Sequence, residues 1–175
     1  MKQVFYIPMS SKVVDIEKEI NNAIANLELK FKLEWLTELI KAPDASKYML
    51  VFDKTDGAGS ASPSIGVRVI QGSQDRIKTE EIVNNALKEL ELDEDKNFLS
   101  ISNPAEFVYI ILYENTAGEF PRVKIIPNPP DPKAGSKNVS MMLQMLDDDP
   151  DWGLTPYDSI MLNKNYDMMI LFKED

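Results

Sequence analysis

The densest acidic cluster of the chain is Asp147-Asp148-Asp149-Pro150-Asp151-Trp152-Gly153. Carboxylates at alternate positions ligate Ca²⁺ when the backbone curls around the ion. With Asp147 counted as first, Asp149 is third, Asp151 fifth, Thr155 ninth and Asp158 twelfth, as in an EF-hand loop. Three features weigh against that chemistry. Trp152 stands sixth, where glycine makes the sharp turn, Pro150 stiffens the fourth position, and Asp158 is shorter than the usual bidentate glutamate. The segment that follows also reads as a strand rather than a second helix. A Ca²⁺ site at Asp147, Asp149, Asp151 and Asp158 is therefore the weaker expectation. A solvated loop between helix and strand is the stronger one, and no cofactor is expected.

Other chemistry finds little support. Gly57 to Pro63 has the composition of a phosphate cradle, but a P-loop needs a lysine and a Ser/Thr entering a helix. Here a strand follows, so the stretch reads as a linker between units. Glu80/Glu81 and Glu89/Glu91 offer carboxylates, but nothing in their spacing sets two of them across a cleft, and they read as a solvated helix face. The chain has no cysteine, which excludes disulfides and thiolate metal sites. It has no histidine, which removes the commonest general base, metal ligand and pH switch. An enzyme would have to work with carboxylates, lysine or tyrosine alone. The expectation is a protein without catalytic residues.

The formal net charge is −10. Binding nucleic acid needs a basic surface that displaces counterions, so nucleic acid is not an expected partner. The charge is uneven. Residues 1–61 carry 8 basic and 9 acidic side chains, residues 62–119 carry 5 and 11, and residues 120–175 carry 6 and 9. The middle third is the most acidic, which suits a protein partner with a basic surface. The apolar run from Val4 to Met9 is too short for a signal h-region. No stretch approaches a membrane span. A soluble, cytoplasmic protein is expected.

The elements that would position these residues come from an internal repeat. Residues 3–29 align without a gap on 66–92, with 10 identities in 27 positions. The matched residues Val4, Ile7, Ser10, Glu17, Asn21, Asn22, Ala23, Leu27, Glu28 and Leu29 face Val67, Ile70, Ser73, Glu80, Asn84, Asn85, Ala86, Leu90, Glu91 and Leu92. Residues 40–57 then align on 101–118. A third copy keeps only the apolar skeleton: Val67, Val69, Ile70, Val83, Ala86, Leu87 and Leu90 fall on Val123, Ile125, Ile126, Val139, Met142, Leu143 and Leu146. Repeats of this kind bury their faces on one another.

Each unit reads as β-α-β-β. Val4 to Ile7, Val67 to Ile70 and Val123 to Ile126 are first strands. Residues 12–27 form an amphipathic helix capped from Ser10 or Ser11, and Thr79 caps a second. Residues 30–41 fit a strand or further helix. Pro43 and Asp44, and Asn103 and Pro104, mark turns. Tyr48 to Phe52, Phe98 to Ile101, Phe107 to Tyr113, Ser159 to Leu162 and Met168 to Phe172 are further strands. Pro127 to Lys137 reads as a Pro-rich loop before a short helix from Val139 to Leu146. A strand–helix–strand crossover favours parallel pairing. The expected fold class is α+β: three tandem β-α-β-β units, repeats 1–61, 62–119 and 120–175, in one compact domain. A mixed sheet would pack on amphipathic helices, either continuous or pseudo-threefold. The asparagines of the Asn-Asn-Ala segments are expected on the solvent side.

The third repeat departs from this baseline where function is expected. Met141 falls where Asn22 and Asn85 sit, and Met145 where Asn26 and Glu89 sit. Either the C-terminal segment covers them, the favoured expectation, or they form a Met patch suited to an adaptable partner surface. The function expected is an acidic protein-binding module, in one form an inhibitor or immunity-type protein that occludes its partner. Met141, Met145, Asp93, Glu94, Asp95 and Trp152 are the candidate contact residues. A Ca²⁺- or small-ligand-binding protein and a structural subunit of a larger assembly are the alternatives.

Overall fold

The computed structural model describes residues 2–8, 12–41, 47–127, 131–149, 153–162 and 167–174. Its elements run β1 (Lys2–Pro8), α1 (Val13–Lys30), β2 (Leu33–Lys41), β3 (Lys47–Lys54), β4 (Ile65–Gln71), α2 (Arg76–Glu91), β5 (Asn97–Ala105), β6 (Val108–Glu114), β7 (Arg122–Ile126), α3 (Pro132–Asp147), β8 (Leu154–Met161) and β9 (Met168–Glu174). The order is β-α-β-β three times over, an α+β fold of three pseudo-repeats.

Each repeat forms its own three-stranded sheet, ordered β1-β3-β2, β4-β6-β5 and β7-β9-β8. The crossover helix does not make its flanking strands neighbours. The last strand of each unit, the most apolar, inserts between them, and β3 pairs antiparallel with β1 and β2, β6 with β4, and β9 with β7 and β8. The sheets are therefore antiparallel where parallel pairing across the crossover was expected. The physical reason is burial: Tyr48, Leu50, Val51 and Phe52 on β3 are all buried, and so are Tyr109 to Leu112 on β6. A strand that is apolar on both faces gains most in the middle of its sheet.

Helix starts follow cap chemistry. Asp75, not Thr79, is the N-cap of α2, and its carboxylate accepts from the Ile77 and Lys78 amides. Thr79 is buried one turn in. Its hydroxyl accepts from the Ser73 amide at 2.9 Å and donates to the Ser73 carbonyl at 3.0 Å. The stretch expected as a loop to Lys137 becomes helix from Pro132, because Asp131 caps it and proline suits the first helical turn. Residues 30–41 resolve into the end of α1 and β2. Pro104 lies inside β5, and the turn falls later, at Glu106 and Phe107. Lys12 is the N-cap of α1, without a side-chain bond. Ser10, Ser11, Pro43 and Asp44 lie outside the described residues.

By contact density the chain divides into two compact units. The first comprises Met1–Gln71, Asp93–Pro104 and Val108–Glu119, and so holds α1 with the first two sheets. Its core joins Ile7, Tyr48 and Leu50 of the first sheet, Ile16, Ile20 and Ile24 of α1, and Val67, Val69, Ile110 and Leu112 of the second sheet. The second comprises Gly72–Leu92, Ala105–Phe107 and Phe120–Asp175, with α2, α3 and the third sheet. There Ile126, Ile170 and Phe172 pack against Val139, Met142, Leu143 and Leu146 of α3. Among the described residues, no helix is long and apolar enough to cross a membrane.

Candidate interaction surface

The repeated polar residues act as clamps. In the first unit the Val67 amide donates to Asn21 Oδ1 at 2.9 Å, and Asn21 Nδ2 donates to the Val67 carbonyl at 2.9 Å. One helical turn earlier, Glu17 Oε2 accepts from the Val69 amide at 2.8 Å. The second unit repeats the arrangement. Asn84 exchanges two hydrogen bonds of 2.9 Å with the Val123 backbone, and Glu80 accepts from the Ile125 amide at 2.8 Å. Residues four apart share a helix face, so Glu and Asn together seat the helix on every second residue of an edge strand. Arg68 and Lys124, between the clamped residues, pair with Glu17 at 3.8 Å and Glu80 at 2.9 Å.

Asn21 and Asn84 therefore do not face solvent, contrary to expectation, whereas Asn22 and Asn85 are exposed as expected. Glu80 is part of the clamp and Glu91 pairs with Arg122 at 2.7 Å, so these two do not belong to a simple solvated face. The signal that could have located the clamps was present. Glu17/Glu80 and Asn21/Asn84 are identical polar residues at helical spacing.

The clamped strands also present an apolar face to their helix. Val67 and Val69 are 1% and 6% exposed, Val123 and Ile125 0% and 4%. The equivalent β1 residues, Val4 and Tyr6, are 44% and 52% exposed. They pair across the sheet with Val51 and Met49, so the four share one face. Lys47 lies beside it, its Nζ 5.9 Å from the Tyr6 ring centroid.

The glycine-containing stretch after β3 is a linker, as expected. It wraps the C-terminal end of α1. Ser60 donates its amide to the Glu28 carbonyl at 2.8 Å, and the buried Glu28 carboxylate accepts from the Ser64 amide at 2.6 Å and from its hydroxyl. A Cβ on Gly59 would stand 2.3 Å from the Glu28 carbonyl oxygen, so glycine is required for the close approach. A helix C-terminus carries negative partial charge, the wrong pole for phosphate.

The acidic residues fall as follows. Asp93, Glu94 and Asp95 form one exposed turn after α2, in which Lys96 pairs with Asp93. The hydrogen bond from Lys96 holds the Asp93 carboxyl below its ordinary value. Asp147 is the last residue of α3, Asp148 is its C-cap and Asp149 is exposed. Asp158 is exposed on β8, and its carboxylate accepts from the Ser159 amide at 2.8 Å. Asp151 and Trp152 lie outside the described residues. Among those described, no three carboxylates gather as a metal site would require.

Among the described residues, grooves open beside α1 and α3. One, about 670 Å³, runs along α1 and is lined by Phe5, Ile7, Ala23 and Leu27 with Asn22 and Asn26. The other, about 370 Å³, lies between α3 and the third sheet, against Val139, Leu143, Tyr157 and Ile170. Burial, then the Asp158 carboxylate, pushes the Tyr157 hydroxyl up to about 12, so it remains a donor near neutral pH. Met141 and Met145, one turn apart on α3, are 53% and 66% exposed. Among the described residues nothing closes over them as expected, and they form an exposed apolar ridge. No protein-family model, curated protein or solved structure matches the chain.

Proposed function

We propose that this chain is an acidic protein-binding module that holds a partner by surface contact and performs no chemistry on it. The observation that supports the reading is the exposed edge of the first sheet's face: Val4 and Tyr6, beside half-buried Met49 and buried Val51, repeat a surface that helices cover in the other two sheets. Apolar faces of this kind are characteristic of interaction sites. The exposed Met141–Met145 ridge adds a second adaptable surface. A net charge of −10 and the acidic turn at Asp93–Asp95 suit a basic partner, as an inhibitor or immunity-type protein would have.

The test begins with affinity capture from the host and mass-spectrometric identification of the partner. Purified partner is then titrated against variant chains. Tyr6→Glu is expected to weaken binding at least ~10-fold. Lysine substitutions at Asp93, Glu94 and Asp95 are expected to reduce the salt dependence of association. Unchanged affinity with the first and unchanged salt dependence with the second would overturn the reading.

A further inference from the structure

We infer that the open face of the first sheet is a docking site for an amphipathic helix of another protein, carrying a glutamate and an asparagine one turn apart. The inference rests on the protein-binding reading and specifies the partner's chemistry. It starts from register. Val67 pairs with Leu112 and Val69 with Ile110; Val123 pairs with Leu171 and Ile125 with Met169. Val4 and Tyr6 pair with Val51 and Met49 in the same antiparallel register. The Val67 and Val123 backbones give both their N–H and C=O to an asparagine, so these residues occupy non-hydrogen-bonded pairs of their ladders. By the same register Val4 and Tyr6 turn their backbone groups off the free edge of β1, which is an edge strand of its sheet. Such a rail of backbone donors and acceptors is a template for a partner.

The molecule shows twice what covers this template. On α1 the residues are Ile16-Glu17, Ile20-Asn21 and Ile24; on α2 they are Thr79-Glu80, Val83-Asn84 and Leu87. Both helices follow one pattern: a glutamate, an asparagine four residues on, and a buried side chain at −1, +3 and +7 from the glutamate. The third helix has lost it. Gly135-Ser136, Val139-Ser140 and Leu143 stand at the matching positions, and serine is too short to exchange two bonds with a strand. In a second copy of this chain, α1 and α2 are already seated and α3 lacks the clamp, so a second copy offers no helix of this pattern. One difference is local to this site. Phe5 stands where Arg68 and Lys124 pair with the clamp glutamates, and Lys47 beside Tyr6 supplies the cation instead.

The test uses the full chain, isotope-labelled, titrated with a synthetic peptide of residues 76–91, which carries the pattern. Saturable shifts at the amides of Val4, Tyr6, Met49 and Val51 are expected. A peptide with Glu80→Ala and Asn84→Ala should bind about tenfold or more weakly, having lost three hydrogen bonds to the strand. Tyr6→Glu in the chain should abolish binding without altering the melting temperature. Val4→Pro is the second variant; it removes only an outward N–H of an edge strand, and should weaken binding likewise. Binding at this face that is indifferent to the two alanines would overturn the clamp and leave the protein-binding reading standing. No shift at this face would overturn the helix as occupant, while the partner titration above judges the broader reading separately. Concentration-dependent self-association with the same shifts in the absence of peptide would also overturn it, by naming a second copy as the occupant.

Discussion

The second and third sheets bury Val67, Val69, Val123 and Ile125 under a helix, while the first sheet leaves Val4 and Tyr6 in solvent. Sequence position, strand register and strand order are the same in all three. What differs is the element on the other side. The helix of one repeat seats on the first strand of the following repeat, so burial in this fold belongs to the pair of repeats and not to the strand. A residue's tolerance to change should therefore differ between copies that look alike in sequence.

The largest effect breaks the comparison outright. Val69→Asp places an unpaired charge under α1 and should cost at least ~4 kcal/mol by urea denaturation, enough to unfold a marginal chain. Tyr6→Asp, at the equivalent place on β1, should stay within ~1 kcal/mol of the parent. Comparable losses in both would mean that the first sheet's face is covered after all.

Next come the clamps themselves. Asn21→Ala and Asn84→Ala each leave a part-buried amide and carbonyl without partners, and each should cost about 2–3 kcal/mol. Their sequence neighbours Asn22 and Asn85 are exposed, so Asn22→Ala and Asn85→Ala should fall within ~0.5 kcal/mol of the parent. Equal losses at neighbouring asparagines would contradict the clamp.

The smallest effect concerns the face the first sheet does keep covered. Tyr48 is buried and, among the described residues, its hydroxyl has no hydrogen-bond partner. Tyr48→Phe should be neutral or stabilising by up to ~1 kcal/mol. Burial first, then the Glu19 carboxylate, raises the Tyr48 hydroxyl above its ordinary value of 10.0. The folded state thus holds this proton more tightly than the unfolded state. Stability from this group is full below pH 10 and is lost as pH rises through the folded value. Denaturation midpoints of Tyr48→Phe should decline less steeply above pH 10 than those of the parent, and parallel decline would refute the assignment.

Much of this fold was legible in the sequence because apolar spacing repeats. Val4, Val67 and Val123, with the helices behind them, gave the three β-α-β-β units directly. Sheet order was not legible, because a crossover fixes the direction of two strands but not whether a third inserts between them. The start of α3 was obscured by its prolines, although Asp131-Pro132 is an N-cap followed by a preorganised first turn. The clamps escaped for a different reason. The partner of Asn21 is the backbone of Val67, and a backbone leaves no side-chain signature in the sequence. The polar identities at Glu17/Glu80 and Asn21/Asn84 carried the information, but amphipathic periodicity assigns polar residues to solvent by default. The exposed methionines were visible as a departure of the third repeat from the first two. Whether they were covered depended on tertiary structure that periodicity does not encode.

Amide hydrogen exchange reads, residue by residue, which strands are held from the side. The amides of Val67, Val69, Val123 and Ile125, each donated to an asparagine or glutamate side chain, are predicted to be protected. The amides of Val4 and Tyr6, at the same register positions on β1, are predicted to exchange near the rate of an open edge. Equal protection of Val4 and Tyr6 in the isolated chain, or free exchange at Val67 and Val123, would contradict that difference.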